Sequence, residues 1–128
     1  MFFHAKVFNS DISKWDTSSV TSMVDMFREA IFFNSDVSKW ETSSVTKIHR
    51  MLHTAKAFNS DISKWDVTSI ADMSLIFNGA ALFNSDVSKW DTSSVIKMEK
   101  FFKNSAFDRT LCGGAWESLT GVNSAFNE

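Results

Sequence analysis

The chain has 128 residues, 44% apolar and 22% charged, enough for one domain with a core of its own. Thirteen Lys and Arg against fifteen Asp and Glu leave a net charge of −2. That excludes the polycationic surface that nucleic acid or an anionic membrane would attract. No apolar run approaches the roughly 18–20 residues of a transmembrane helix, so direct membrane insertion is not expected. No targeting signal stands at the N-terminus, which lacks the basic and apolar regions of a signal peptide. Met1-Phe2-Phe3-His4-Ala5 instead matches Met26-Phe27-Arg28-Glu29-Ala30, so the chain opens inside a repeat and reads as a piece of a longer protein. A single cysteine, Cys112, leaves neither an internal disulfide nor a thiolate metal cluster.

The repeat is the dominant signal. Phe8-Asn9-Ser10-Asp11-Ile12-Ser13-Lys14-Trp15 returns at residues 33–40, 58–65 and 83–90, with Val for Ile in alternate copies and no slippage from a 25-residue period. A fixed period of this length marks a stacked-repeat architecture. Columns of identical residues at Phe8, Asn9, Ser10, Asp11, Ser13, Lys14 and Trp15 and at every 25th position after them mark what the stack requires.

Within one repeat, residues 10–13 alternate polar and β-branched, which predicts a short half-buried strand with Ile12 inward and Asp11 and Ser13 outward. Trp15 turns back into the core. Asp16-Thr17-Ser18-Ser19 reads as a helix N-terminus, its side-chain oxygens able to accept the first free N–H groups. Val20, Met23, Phe27 and Ala30 follow at helical spacing and predict an α-helix over 20–30. Parallel strands and right-handed crossovers would bury both apolar faces, with Asn9 and its copies bonding the backbone at the bend. The predicted fold is therefore α/β: a right-handed, leucine-rich-repeat-like solenoid with a short parallel sheet on one side and one helix per repeat on the other.

The four-repeat body spans 1–105, with repeat cores at 8–32, 33–57, 58–82 and 83–105 after a partial repeat at 1–7. Residues 106–128 depart from the pattern: Phe107 to Trp116 is two residues longer than Phe8 to Trp15 and carries Gly113-Gly114. Leu119, Val122 and Phe126 make a final short helical stripe. This segment reads as a degenerate C-terminal capping repeat, of the kind that covers the open end of a stack.

The units Asp11-Ile12-Ser13-Lys14-Trp15-Asp16-Thr17-Ser18-Ser19-Val20-Thr21-Ser22-Met23 and Met26-Phe27-x-x-Ala30 resemble the BspA-like leucine-rich-repeat surface proteins. They are most similar to the variant repeat found in mycoplasma lipoproteins. The resemblance covers residues 1 to about 105. It implies a leucine-rich-repeat-like fold, a cell-surface or extracellular location and, for some members, adhesion; it supplies no catalytic residues.

Strand pairing in register would place Asp11, Asp36, Asp61 and Asp86 in one exposed column, where neighbouring carboxylates repel by roughly 1 kcal/mol per pair. Three devices could offset this: the Lys14 column leaning over it, the Ser13 hydroxyls and turn N–H groups bonding it, or a cation between carboxylates. His49 and His53 stand four apart, a metal-holding spacing on a helix, but both fall in variable columns and read as surface. The Thr17-Ser18-Ser19 hydroxyls raise an ice-ordering array, which Val67 interrupts. No nucleophile-elbow, P-loop, dinucleotide or paired-acid motif appears, and neither catalysis nor a cofactor or metal is expected. The reading is a non-catalytic scaffold that binds a protein or glycan partner through its exposed sheet face. The candidate residues are Asp11, Ser13, Lys14, Asp36, Ser38, Lys39, Asp61, Ser63, Lys64, Asp86, Ser88 and Lys89. The alternative is a structural spacer or assembly subunit, contacting neighbours through the helix face where Val24, Ile31, Leu75, Leu82 and Ile96 are apolar.

Overall fold

The structure, a computed structural model, describes residues 1–111 and Trp116. It overturns the α/β reading: the described residues contain neither the helix at 20–30 nor the strand at 10–13, and no sheet. Among the described residues, strand-type pairing is confined to two single parallel bridges, Ser22 with Lys47 and Asp72 with Lys97. The chain consists instead of successive tight turns, wound into 25-residue coils that lie side by side.

The backbone hydrogen bonds explain why the helix does not form. In residues 23–33 the N–H groups divide into two sets. Those of Met26, Arg28, Ala30 and Phe33 donate three residues back, to Met23, Asp25, Phe27 and Ala30. Those of Met23, Asp25, Phe27 and Glu29 donate to the next coil, to Lys47, His49, Met51 and His53, at 2.8–3.4 Å. A helix would use all of these donors within itself and leave none to tie coils together. The alternation needs left-handed backbone at two points per coil. It is found at Asp25, Arg50, Leu75 and Lys100 and again at His4, Glu29, Thr54, Gly79 and Asn104, with φ between 51° and 73°. An eleven-residue segment is also a marginal helix to begin with, shorter than the roughly 12–15 residues an isolated helix needs.

The expected strand is replaced by turns of the same kind. The N–H groups of Trp15, Trp40, Trp65 and Trp90 donate three residues back, to Ile12, Val37, Ile62 and Val87. Other ties run from coil to coil: Phe32 to Lys6, Ala57 to Ile31 and Leu82 to Lys56.

The core is a set of side-chain columns running through the coils. Phe8, Phe33, Phe58, Phe83 and Phe107 stack at 5.8–6.1 Å between ring centroids. Trp15, Trp40 and Trp65 follow at 6.3 and 6.4 Å, within 5° of parallel. Each buried indole also has a polar partner: Nε1–H of Trp40, Trp65 and Trp90 donates to the carbonyls of Ile12, Val37 and Ile62. Adjacent residues Met51 and Leu52, Ile76 and Phe77, and Phe101 and Phe102 are all buried, so each of these coils gives the core two apolar residues in succession.

Two further differences concern hydroxyls and the C-terminal segment. Thr17 and Thr42, placed by sequence in an exposed array, are buried, and their Oγ1 groups donate to the carbonyls of Glu41 and Asp66. Of the last segment, Phe107 continues the Phe column and Trp116 Nε1–H reaches the Ser88 carbonyl at 3.2 Å. Cys112, the Gly113-Gly114 pair and the stripe of Leu119, Val122 and Phe126 lie outside the described residues. Among the described residues no helix is long and apolar enough to cross a membrane.

Candidate functional site

With no sheet, the twelve candidate residues line an irregular face on which the polar columns are set by local turns. In each repeat the carboxylate of the first Asp accepts the N–H two residues on: Ser13 to Asp11, Ser38 to Asp36, Ser63 to Asp61 and Ser88 to Asp86, each at 2.9 Å. The Asp-x-Ser spacing makes this turn because a one-carbon side chain carries its oxygen to that donor without bending the backbone further. The turn repeats five residues later. Asp16, Asp66 and Asp91 accept from Ser18, Thr68 and Ser93 at 3.0 Å.

These bonds are the second of the three devices, the Ser hydroxyls and turn N–H groups bonding the Asp column. The Ser13, Ser38 and Ser88 hydroxyls, then their backbone N–H groups, hold Asp11, Asp36 and Asp86 below the usual carboxylate range. For Asp61 the Ser63 backbone N–H comes first and the hydroxyl second. The lysine beside each Asp acts in the same direction and more weakly, while the preceding carboxylate pushes Asp36 and Asp61 back up. Each carboxylate is thus fixed, ionised and satisfied by its own turn.

Next to the Asp column runs an amide ladder. The N–H of Asn34, Asn59 and Asn84 donates to Oδ1 of Asn9, Asn34 and Asn59, each at 2.8 Å. Asp108 takes the fifth place: its Oδ1 accepts from the Asn84 side chain at 2.8 Å. Arg109 follows, donating Nε–H to the Asn84 carbonyl. The same Arg109, with Lys89, lowers Asp86 further, so a cation closes the C-terminal end of the carboxylate column.

Two shallow grooves open on this face. One, of about 370 Å³, brings Asp61, Ser63, Asp86 and Lys89 together with Arg109 and the Asn59 and Asn84 amides. The other, of about 430 Å³, gathers Ser38, Lys39, Lys64 and Asp61 with Glu41 and the edge of Trp40. Asp61 borders both. Asp11, Ser13, Lys14, Asp36 and Ser88 line neither. Glu41 and Arg109 are the site residues that column reading misses, since each breaks its column; a charged residue that departs from the repeat was the available signal.

The expected helix face is a different place from the one predicted. Val24, Ile31 and Leu75 are half-buried and only Leu82 and Ile96 stand exposed, in separate columns. A charged network crosses this side: His4 Nδ1 meets Glu29 at 2.6 Å, Arg28 meets Glu29 and Asp25 at 3.5 and 3.6 Å, and Arg50 meets Asp25 at 3.2 Å. His53, expected on the surface, sits half-buried among it. Burial first, then Arg28 and Arg50, hold its imidazole below the usual histidine range, against Glu29 and Asn78. Among the described residues, no group of three or more His, Cys, Asp or Glu side chains could hold a metal ion.

No curated protein and no solved structure is significantly similar to the chain. A family model does match it, over residues 1–80, and that span holds three of the four Phe-Asn-Ser-Asp units and their Asp-x-Ser turns. On that match the chain belongs to DUF285, a family of mycoplasma proteins of unknown function.

Proposed function

We propose that the chain is a non-catalytic recognition scaffold, binding a protein or glycan through the face that carries the Asp, Ser and Lys columns. One observation carries this reading. The Asp carboxylates of that face are held by their own turns and the Asn amides by the neighbouring coil, so a partner meets these groups already oriented, which keeps the entropic cost of binding low. The two grooves supply carboxylates, ammonium groups and amides within one contiguous strip, a donor and acceptor set suited to sugar hydroxyls or a polar peptide surface. Resemblance to BspA-like surface proteins adds the expectation of display at the cell surface, where such partners are met.

The test uses substitutions that remove charge and keep the turn. Asn at 36, 61 and 86 retains the Oδ1 that accepts the Ser N–H, and Gln at 39, 64 and 89 retains length. Wild type and this six-fold variant are applied to glycan and host-protein arrays and their melting curves compared. Selective retention of the wild type, lost by at least about tenfold in a variant that still folds, supports the reading. Equal binding by both, or none by the wild type, sinks it.

A further inference from the structure

At the C-terminal end of the polar face the repeat changes its chemistry. Phe107 continues the Phe column one residue short of the period, and the residues after it keep that register. The Asp108 N–H reaches Oδ1 of Asn84 at 3.4 Å, as the Asn84 N–H reaches that of Asn59. Arg109 therefore stands in the place of Ser85. Its Nε–H donates to the Asn84 carbonyl, as the Ser85 hydroxyl donates to that of Asn59. Thr110 takes the place of a fifth Asp, so the carboxylate column stops at Asp86 and a guanidinium lies beyond it.

The two cations of this groove lack a paired carboxylate. Lys89 and Arg109 are near enough to Asp86 to stabilise its charge. Yet among the described residues neither has a carboxylate oxygen within 4.0 Å, whereas Arg28 and Arg50 of the charged network both do. Anchoring through Nε leaves the two terminal nitrogens of Arg109 as a planar fork, the geometry that takes a carboxylate through two parallel bonds. Beside the fork, Asp61 and Asp86 bond their own turns through Oδ1, and an ionised carboxylate has capacity for further donors. Every side chain lining this groove is polar, so an apolar side chain finds no seat in it.

We propose that this groove takes an acidic sugar, a ring bearing a carboxylate, with the anion on Arg109 and Lys89 and ring hydroxyls donating to Asp61 and Asp86. The inference rests on the reading of this face as a recognition surface and names the ligand class for one of its grooves. Two carboxylates and two cations nearly cancel here, so selection comes from where each charge sits and owes little to a long-range field. A neutral sugar would fill the same volume and leave both cations unmatched. An acidic peptide would match the cations and bring fewer hydroxyls to the carboxylates.

The experiment titrates methyl glucuronide and methyl glucoside, which differ at one carboxylate, into the full chain and follows amide chemical shifts. The glucuronide moves the Asn84, Asp86 and Arg109 amides and binds at least about tenfold more tightly than the glucoside. Arg109→Gln weakens glucuronide binding by about tenfold and Lys89→Gln by about threefold, with Arg109→Lys, which keeps the charge and loses the fork, between them. Lys56→Gln, at an exposed lysine outside both grooves, leaves it unchanged. Amide spectra that match the wild type away from the groove show that the variants fold. Equal affinity for the two sugars, or glucuronide binding that Arg109→Gln leaves intact, overturns the proposal; recognition through the second groove is then still scored by the array test. Tighter binding of N-acetylglutamate amide than of methyl glucuronide also overturns it and assigns the groove to an acidic peptide.

Discussion

Trp65→Phe tests whether the coils are joined by specific polar contacts as well as by apolar burial. Trp65 is 4% exposed, its ring lies 6.4 Å from that of Trp40 and within 2° of parallel, and its Nε1–H meets the Val37 carbonyl at 3.1 Å. Phenylalanine keeps the aromatic stack and removes the donor. Leaving a buried carbonyl without its partner costs about 1–3 kcal/mol. The smaller ring also leaves roughly 35 Å³ unfilled, which at about 24 cal/mol per Å³ adds close to 1 kcal/mol. The sum is about 2–4 kcal/mol, a fall in Tm of order 10–20 °C for a domain near 100 residues. Trp15→Phe is the internal control, since Trp15 is 39% exposed and stacks on Trp40 at 6.3 Å; its expected loss is under about 1 kcal/mol. Thermal unfolding followed by circular dichroism reads both. Equal losses at 65 and 15 would refute the reasoning, because the column would then contribute area and no directed bond.

Other outcomes follow from the turns and the buried charges. Gly79→Ala forces an alanine to φ near 73° with Thr54 Oγ1 3.2 Å from the new methyl, and should cost about 1–2 kcal/mol in chemical denaturation. Thr54→Gly relieves the same strain one coil earlier, where a β-branched residue holds φ near 60°, and should gain about 1 kcal/mol less its entropic cost. Asn59→Ala removes the acceptor of the Asn84 N–H; hydrogen exchange at that amide should quicken, whereas Asn59→Asp, which keeps an oxygen there, should leave it protected. Acid should act in two stages. Because His53 is held neutral by burial and by Arg28 and Arg50, the unfolded chain binds its proton first, and stability falls as pH drops from about 6.5 through the folded value. His53→Asn should flatten Tm between pH 7 and 5. The Asp carboxylates, lowered by their turns, add stability that is complete above about pH 4 and is lost as pH falls through their folded values.

The columns were legible in the sequence and the backbone between them was not. Phe33, Phe58, Phe83, Trp40, Trp65 and Trp90 are buried where the repeat places them, and Asp11 and its copies are bonded by their own Ser as one of the three options had it. The helix over 20–30 rested on apolar spacings of three, four and three, which a chain of three-residue turns satisfies equally. The second buried apolar residue in each copy, Met51 beside Leu52 and Ile76 beside Phe77, does not separate the two either, since residues three and four along from Ile48 and Met73 also share a helical stripe. The left-handed positions left little trace, because Glu29, Arg50, Thr54, Leu75 and Lys100 among them are residue types that disfavour such φ, and only His4, Asp25, Gly79 and Asn104 tolerate it. At Asp25, Glu29 and Leu75 inter-coil hydrogen bonds override local preference. Of the candidate site, the repeat supplied the columns, while Glu41 and Arg109 show in the sequence only as charged residues that depart from their columns, and neighbouring coils bring them to the grooves.

Every tie between neighbouring coils, whether backbone, amide or indole, spans close to 25 residues of chain, so the molecule has an internal unit of length. Gain or loss of one whole unit leaves each donor opposite an equivalent acceptor and changes only how far the chain reaches. Gain or loss of a few residues leaves every later donor facing the wrong neighbour until an irregular coil absorbs the error. A gene built this way can vary the extent of its surface in single steps without redesigning any contact.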